Sequence, residues 1–187
     1  MKLTLADKIS LTRLSLMPLA VLFYFLSLEW AYYVSAGLVF LIGVGDILDG
    51  YVARSMGQVS RFGAFLDPVI DKICVVTALI ILTYHFGSLA LTACAVVMTL
   101  REVIISALRE YMAEHGRRDK VAVFFASKCK TLLQGFAVVF LILASVQFSY
   151  PWVYNLGMVL LIASTLLSVL TLIKYLQMAL RSFSAQA

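Results

Sequence analysis

Residues 131–173 read TLLQGFAVVFLILASVQFSYPWVYNLGMVLLIASTLLSVLTLI, 43 residues without a formal charge. A helix crossing a bilayer takes roughly 17–25 residues. The run is therefore two spans, split where polar residues and a proline interrupt it, at Gln147-Phe148-Ser149-Tyr150-Pro151. Upstream, the uncharged run 73–100 has 28 residues and breaks at Tyr84-His85-Phe86-Gly87-Ser88. Two shorter runs, 14–28 and 30–45, have 15 and 16 residues. Each of these shorter pieces reaches spanning length only by continuing into charged sequence. The pattern predicts an all-α, polytopic membrane protein with six transmembrane helices, near 12–29, 30–50, 67–84, 88–110, 127–146 and 152–177.

Composition agrees. Of 187 residues, 63% are hydrophobic and 13% charged, against roughly 45–50% and about 25% in soluble domains. Mean hydropathy is +0.98. A chain this short has too little interior for so many apolar side chains, so lipid must cover part of its surface. Disorder, collagen, a coiled coil and a small disulfide scaffold are excluded. A soluble dinucleotide-binding or nucleic-acid-binding domain does not fit either, and the pI of about 9.2 reads as membrane topology. Cys74, Cys94 and Cys129 are far apart and form no CxxC, so they read as small core residues. His85 and His115 stand alone. Lys2, Lys8 and Arg13 precede an apolar run, but no small-x-small site and polar mature region follow, so a cleaved signal peptide is not expected.

Charge placement orients the six spans. Turns near 29–30, 85–88 and 147–151 share one side; both termini and the loops around 51–66 and 111–126 share the other. All 15 Lys and Arg fall on the second side, and of the 10 acids only Glu29 falls on the first. The positive-inside rule then puts the termini and these loops in the cytoplasm. Residues 2–13 alternate apolar and charged positions at helical spacing. They fit a short interfacial helix or a frayed tail before the first span. Neither an internal repeat nor a dividing linker is visible, so 1–187 reads as one membrane domain.

Four acids stand where a membrane helix should be apolar. Asp46 and Asp49 are i, i+3; Asp67 and Asp71 are i, i+4. Each pair projects from one helix face, and the two faces would meet at the cytoplasmic end. Unpaired carboxylates near lipid cost several kcal/mol and repel one another. Divalent cations remove that cost, and hard oxygen ligands suit Mg²⁺ or Mn²⁺, with enough carboxylates for two ions. Gly50 and Ala53 leave room for a flat group, Gly63 marks a close approach or tight turn, and Arg54 and Arg61 add positive charge. Metals, Arg and small residues together suit a diphosphate carrying a base. The alternative is ion pairing of the acids with Arg54, Arg61 and Lys72.

Written out, Asp46-Ile-Leu-Asp49-Gly50-Tyr-Val-Ala53-Arg54, eight residues, then Gly63-Ala-Phe-Leu-Asp67-Pro-Val-Ile-Asp71 resembles the signature of the CDP-alcohol phosphatidyltransferases, D-x2-D-G-x2-A-R-x8-G-x3-D-x3-D. The resemblance implies a six-helix membrane fold, usually homodimeric, that moves a phosphatidyl group from CDP-diacylglycerol to an alcohol and releases CMP. It implies Asp46, Asp49 and Asp67 as metal ligands, and Asp71 as a partial ligand and the general base. It places the CDP-diacylglycerol site at Asp46, Asp49, Gly50, Ala53, Arg54 and Gly63. The second cytoplasmic loop resembles that of members whose acceptor is glycerol 3-phosphate. It runs Arg101-Glu102-Val-Ile-Ile-Ser106-Ala-Leu-Arg109-Glu110, then Lys128-Cys129-Lys130-Thr131. By that likeness Arg101, Arg109, Lys128 and Lys130 hold the acceptor phosphate. Arg117, Arg118 and Lys120 read instead as topology and attraction to anionic lipid. The implied location is the bacterial inner membrane.

One part departs from the family. Its N-x-P-N-like start before an Arg is absent; counting back from Arg13 the chain has Thr4-Leu5-Ala6-Asp7. Contacts from the first helix are therefore open. The sequence also admits two rival readings. Serine or inositol could be the acceptor within the same family. A small ion- or proton-coupled transporter would also carry intramembrane acids, but it predicts them near the midplane, with broken helices and repeats.

Overall fold

The first helix begins where the family pattern fails. In the computed structural model, which describes residues 4–55, 61–114, 125–146 and 151–184, α1 (Leu5–Phe25) is capped by Thr4 and Asp7. Thr4 Oγ1 accepts from the Asp7 amide at 3.2 Å, and Asp7 Oδ2 accepts from the Thr4 amide at 2.9 Å. This reciprocal pair satisfies two amides that a helix start leaves bare. Thr4 and Asp7 thus supply the start of this helix. Residues 5–13 are the first turns of α1 and not a separate interfacial helix. Asp7, Ser10, Arg13, Met17, Ala20 and Tyr24 form one stripe at helical spacing, and all six are buried. The stripe faces the bundle, polar at its start and apolar further on.

Five more helices follow: α2 (Glu29–Ser55), α3 (Arg61–Phe86), α4 (Leu89–Glu114), α5 (Phe125–Ala144) and α6 (Pro151–Ser184). No strand occurs among the described residues. Among the described residues the number of helices, six, and their order match the sequence reading. The ends differ, because hydropathy marks where lipid ends and not where backbone hydrogen bonding ends. α2 runs on to Ser55 and α3 starts at Arg61. The four acids therefore lie inside helices, and the i, i+3 and i, i+4 spacings are helical spacings. Five helices carry segments long and apolar enough to cross a membrane: Asp7–Phe25, Glu29–Leu48, Pro68–Phe86, Leu89–Met112 and Pro151–Leu180. The apolar run of α5, Cys129–Ala144, is shorter.

Packing is closest between α5 and α6 and between α1 and α2; α5 also touches α2 and α3, and α4 lies against α6 and α3. Gly157 explains the first contact. A Cβ there would sit 2.9 Å from Leu141 Cγ and 3.2 Å from the Leu141 amide nitrogen, so only glycine admits this approach. The turn from α3 to α4 uses Gly87 at φ +55°, a conformation that costs other residues a steric penalty. Polar contacts stitch the core: Ser35 Oγ donates to the Ala20 carbonyl at 2.9 Å, and the Tyr24 and Ser145 hydroxyls meet at 2.8 Å. In a membrane such bonds and close contacts replace the hydrophobic drive between helices. The outer surface is apolar, with Ile80, Val103, Val159, Leu166 and Leu180 all largely exposed. With its long apolar helices this is an integral membrane protein. Cys74, Cys94 and Cys129 are free thiols, half-buried, as the sequence suggests.

Gly157→Leu should lower the unfolding midpoint in detergent, losing about 1–3 kcal/mol through overpacking. Gly37→Ala is the control: nothing lies within 4 Å of its Cβ, and alanine favours the helix. Thermal unfolding followed by tryptophan fluorescence reads both. An unchanged midpoint for Gly157→Leu would refute the close α5–α6 contact.

Candidate active site

The acids meet a partner the sequence reading did not assign. Arg13, on the buried stripe of α1, sends Nη2 to Asp46 Oδ1 of α2 at 3.2 Å and to Asp71 Oδ1 of α3 at 2.6 Å. Its Nε donates to the Ile42 carbonyl at 3.1 Å. The Arg13 side chain is 4% exposed, while those of Asp46 and Asp71 are 36% and 44% exposed. Two carboxylates from different helices thus converge on one nitrogen, and their outer faces look into open space. Gly45 makes this possible. A Cβ at that position would lie 2.9 Å from Arg13 Cγ and 3.0 Å from Cδ, so a side chain would push the guanidinium off the acids. A charge-assisted fork of this kind is stronger and more directional than neutral hydrogen bonds.

Asp46 and Asp71 pair with Arg13, a residue outside the alternative partner set of Arg54, Arg61 and Lys72. The side chains of Asp49, Gly50, Ala53, Arg54, Arg61, Asp67 and Lys128 lie outside the described residues, as do Arg117, Arg118 and Lys120. The backbones of Asp49 and Asp67 belong to α2 and α3. Gly63 is buried near the start of α3. Among the described residues no three His, Cys, Asp or Glu side chains gather into a metal site. The donor chemistry that is described fits a hard divalent cation: two carboxylates from facing helices, already drawn together and partly open.

Asp46, Asp71 and Arg13 stand at one end of a cleft of about 320 Å³ between α1, α2, α3 and α5. The rest of its wall is mainly apolar, including Val39, Phe40, Phe136 and Val139. Thr131 and Gln134 of α5 complete it. A cleft charged at one end and oily along the rest suits a lipid with a polar head.

A second cluster lies where α4, α5 and α6 meet. Lys130 Nζ reaches Glu102 Oε1 at 2.6 Å, and Arg101 Nη1 reaches the same oxygen at 2.5 Å. Arg101 Nη2 contacts Thr171 Oγ1 at 3.3 Å. Two turns further along α4, Arg109 contacts the Tyr175 hydroxyl at 3.5 Å and lies 5.6 Å from that ring's centre. Arg101 and Lys130 are 4% exposed each. Of the four residues expected to hold an acceptor phosphate, the structure joins Arg101 and Lys130 through Glu102 and fixes Arg109 on α6. Glu102 is the missing element of the sequence reading: one carboxylate that keeps two buried cations together. Its place beside Arg101 and one helical face from Ser106 was visible; its partner on α5 was not. α5 links the two clusters: Thr131 lies on the acid cleft, Lys130 on the basic side, and Gln134, one turn after Lys130, at the cleft's edge between them.

Arg13→Met removes the cation and leaves two carboxylates facing each other. Its unfolding free energy should fall by about 1–3 kcal/mol, less than for a fully buried pair because the acids are partly solvated. Arg13→Lys should fall between, keeping the charge but not the fork. Chemical denaturation in detergent measures both, and equal stability of all three proteins would remove the triad from the account.

A profile of the family described as CDP-alcohol phosphatidyltransferase matches residues 3–176. Proteins named CDP-diacylglycerol–glycerol-3-phosphate 3-phosphatidyltransferase resemble the chain along nearly its whole length. That of Haemophilus influenzae is 39% identical over 184 residues, covering 96% of this chain and 95% of the relative. That of Salmonella choleraesuis is 38% identical over 179 residues, and that of Shigella flexneri serotype 5b 37% identical over 179; each comparison covers 96% of both chains. The acid signature on α2 and α3, the lipid-facing bundle and this full-length match agree: the chain belongs to the CDP-alcohol phosphatidyltransferase family.

Proposed function

We propose that this chain transfers a phosphatidyl group from CDP-diacylglycerol to sn-glycerol 3-phosphate, giving phosphatidylglycerophosphate and CMP. The observation that carries the reading is the likeness, over 96% of the chain, to relatives named for this reaction. The two clusters support it chemically. One end of the cleft offers carboxylates and an apolar wall, suited to a lipid diphosphate. The neighbouring cluster offers Arg101, Arg109 and Lys130, suited to an acceptor with its own phosphate. The transporter reading loses its ground, because α2 and α3 run unbroken past the acids.

In this reading 1–187 is one domain with six spans, α5 completing its crossing with polar residues at its start. It lies in a bacterial inner membrane as a homodimer, with termini and active site on the cytoplasmic side. Charge segregation supports that orientation.

Asp46, Asp49, Asp67 and Asp71 would hold divalent cations, Mg²⁺ or Mn²⁺, two in number. Such ions, when bound, supply neutralisation of the diphosphate and stabilise CMP as a leaving group. The protein's own residues do the rest. Gly50, Ala53, Arg54 and Gly63 line the nucleotide end. Arg101, Arg109, Lys128 and Lys130 seat the acceptor phosphate, so its hydroxyl approaches the phosphorus that bears diacylglycerol. Asp71 takes the hydroxyl proton as the new P–O bond forms and the bond to CMP breaks. Arg13 fixes the direction of the Asp71 carboxylate throughout. Displacement is direct, since the motif contains no Ser, Cys or His nucleophile. Positioning and electrostatics supply most of the barrier lowering.

Asp71→Asn should abolish CMP release while largely keeping CDP-diacylglycerol binding, and the wild-type protein should lose release in EDTA and regain it with Mg²⁺ or Mn²⁺. Radiolabelled CMP release and lipid binding measured side by side decide this. Full activity in the variant would discard the base assignment; activity in chelator would discard the metal ligands.

A further inference from the structure

Gln134 is a buried polar residue to which the proposed reaction gives no role. It is 3% exposed, and its Nε2 has no hydrogen-bond partner. An amide donor left bare in an apolar surrounding is destabilising relative to a satisfied one. Arg101 Nε and Ser168 Oγ are also unpartnered. Arg101, however, lies in the basic cluster, and Ser168 passes its carbonyl to Thr171 there. Gln134 differs, since it lines the cleft that holds Asp46 and Asp71.

Its level in that cleft is informative. Lys130, at the polar start of α5, is one turn before Gln134, and Val138 one turn after; each step is about 6 Å along the axis. On α2 the cleft passes from Asp46 to Val39, and on α3 from Asp71 to Ala78. Gln134 therefore stands where the charged end gives way to the apolar wall. In a lipid whose diphosphate sits at the acids and whose chains follow the wall, the group at that level is the acylated glycerol. Its ester carbonyls are acceptors without donors of their own, and they are poorly hydrated there.

Resting on the function proposed above, we infer that Gln134 binds the lipid donor, its Nε2 donating to an ester carbonyl of the diacylglycerol part. The bond satisfies both the orphaned amide and a carbonyl that leaves water. It fixes how deep the donor sits, and so where its phosphorus lies relative to Asp71. Gln134 is thus a donor-positioning residue that reads acyl linkage.

Equilibrium binding to the full-length protein in detergent micelles tests this, with CDP-diacylglycerol and its dialkyl ether analogue as the two probes. The ether lacks the carbonyls but keeps nucleotide, diphosphate and chains. The wild-type protein should bind the diester about tenfold more tightly than the diether, a neutral hydrogen bond's worth. Gln134→Met, similar in volume but unable to donate, should bind both equally and at the diether level. Its unfolding midpoint should equal or exceed that of the wild type, since it removes an unsatisfied group. Equal wild-type affinity for diester and diether would overturn the inference, and this comparison needs no variant to fold. A Gln134→Met protein that keeps the tenfold preference would also overturn it. Loss of glycerol 3-phosphate affinity in place of diester preference would move Gln134 to the acceptor. Wild-type protein that binds neither lipid would instead sink the functional reading beneath it.

Discussion

Arg13 stays charged inside a bundle that lipid surrounds because two carboxylates and a carbonyl meet it there. A lone cation at that depth costs several kcal/mol, and so do two carboxylates crowded together. Combined, they are tolerable, and they bind three helices at one point. The rest of the site depends on this. α1 must begin with a firm cap at Thr4 so that Arg13 sits at the level of the acids. α2 must present glycine at 45 so that the side chain can pass. α3 must run helically through Asp71. The ion triad also orders the acids before any substrate arrives, which lowers the reorganisation a reaction would need.

Much of the fold was legible in one dimension. Six helices, their breaks, and the pairing of acids on single helix faces follow from hydropathy and the 3.6-residue repeat. Partners from other helices did not follow. Arg13 lies 58 residues from Asp71, and Glu102 28 residues from Lys130. Helical spacing reports neighbours on the same helix and is silent about which helix lies opposite. Arg54, Arg61 and Lys72, closer to the acids in sequence, stood as the alternative ion-pair partners. For residues 5–13 the separate-helix reading gives way to a continuous α1 for a related reason. Alternating charge looks like a membrane surface, but Asp7 serves as a cap and Arg13 as a buried anchor. The family's arginine at that place was the available clue. Gln134 carried no sequence signal of its own, because a single amide in an apolar run looks like tolerated polarity.

The arrangement suggests a division of labour across α5. One side of this short helix helps to wall the cleft that begins at Asp46 and Asp71; the other sends Lys130 to Glu102 and Arg101. In the proposed reaction the lipid donor occupies the first side and the phosphorylated acceptor the second, with α5 holding both at fixed separation. Glu102 keeps two cations from repelling each other out of place. An incoming phosphate can then share them without their having to assemble.

In the proposed reaction this site moves a phosphatidyl group from a lipid diphosphate to a phosphorylated acceptor. That transfer is tested most directly by CMP release from CDP-diacylglycerol in mixed micelles containing purified protein and Mg²⁺. Glycerol 3-phosphate, serine and inositol phosphate would be compared as acceptors. Release with glycerol 3-phosphate alone is the predicted result. Release with another acceptor and not with glycerol 3-phosphate would contradict the role given to Arg101, Arg109, Lys128 and Lys130, and no release from folded protein would contradict the transfer reaction itself.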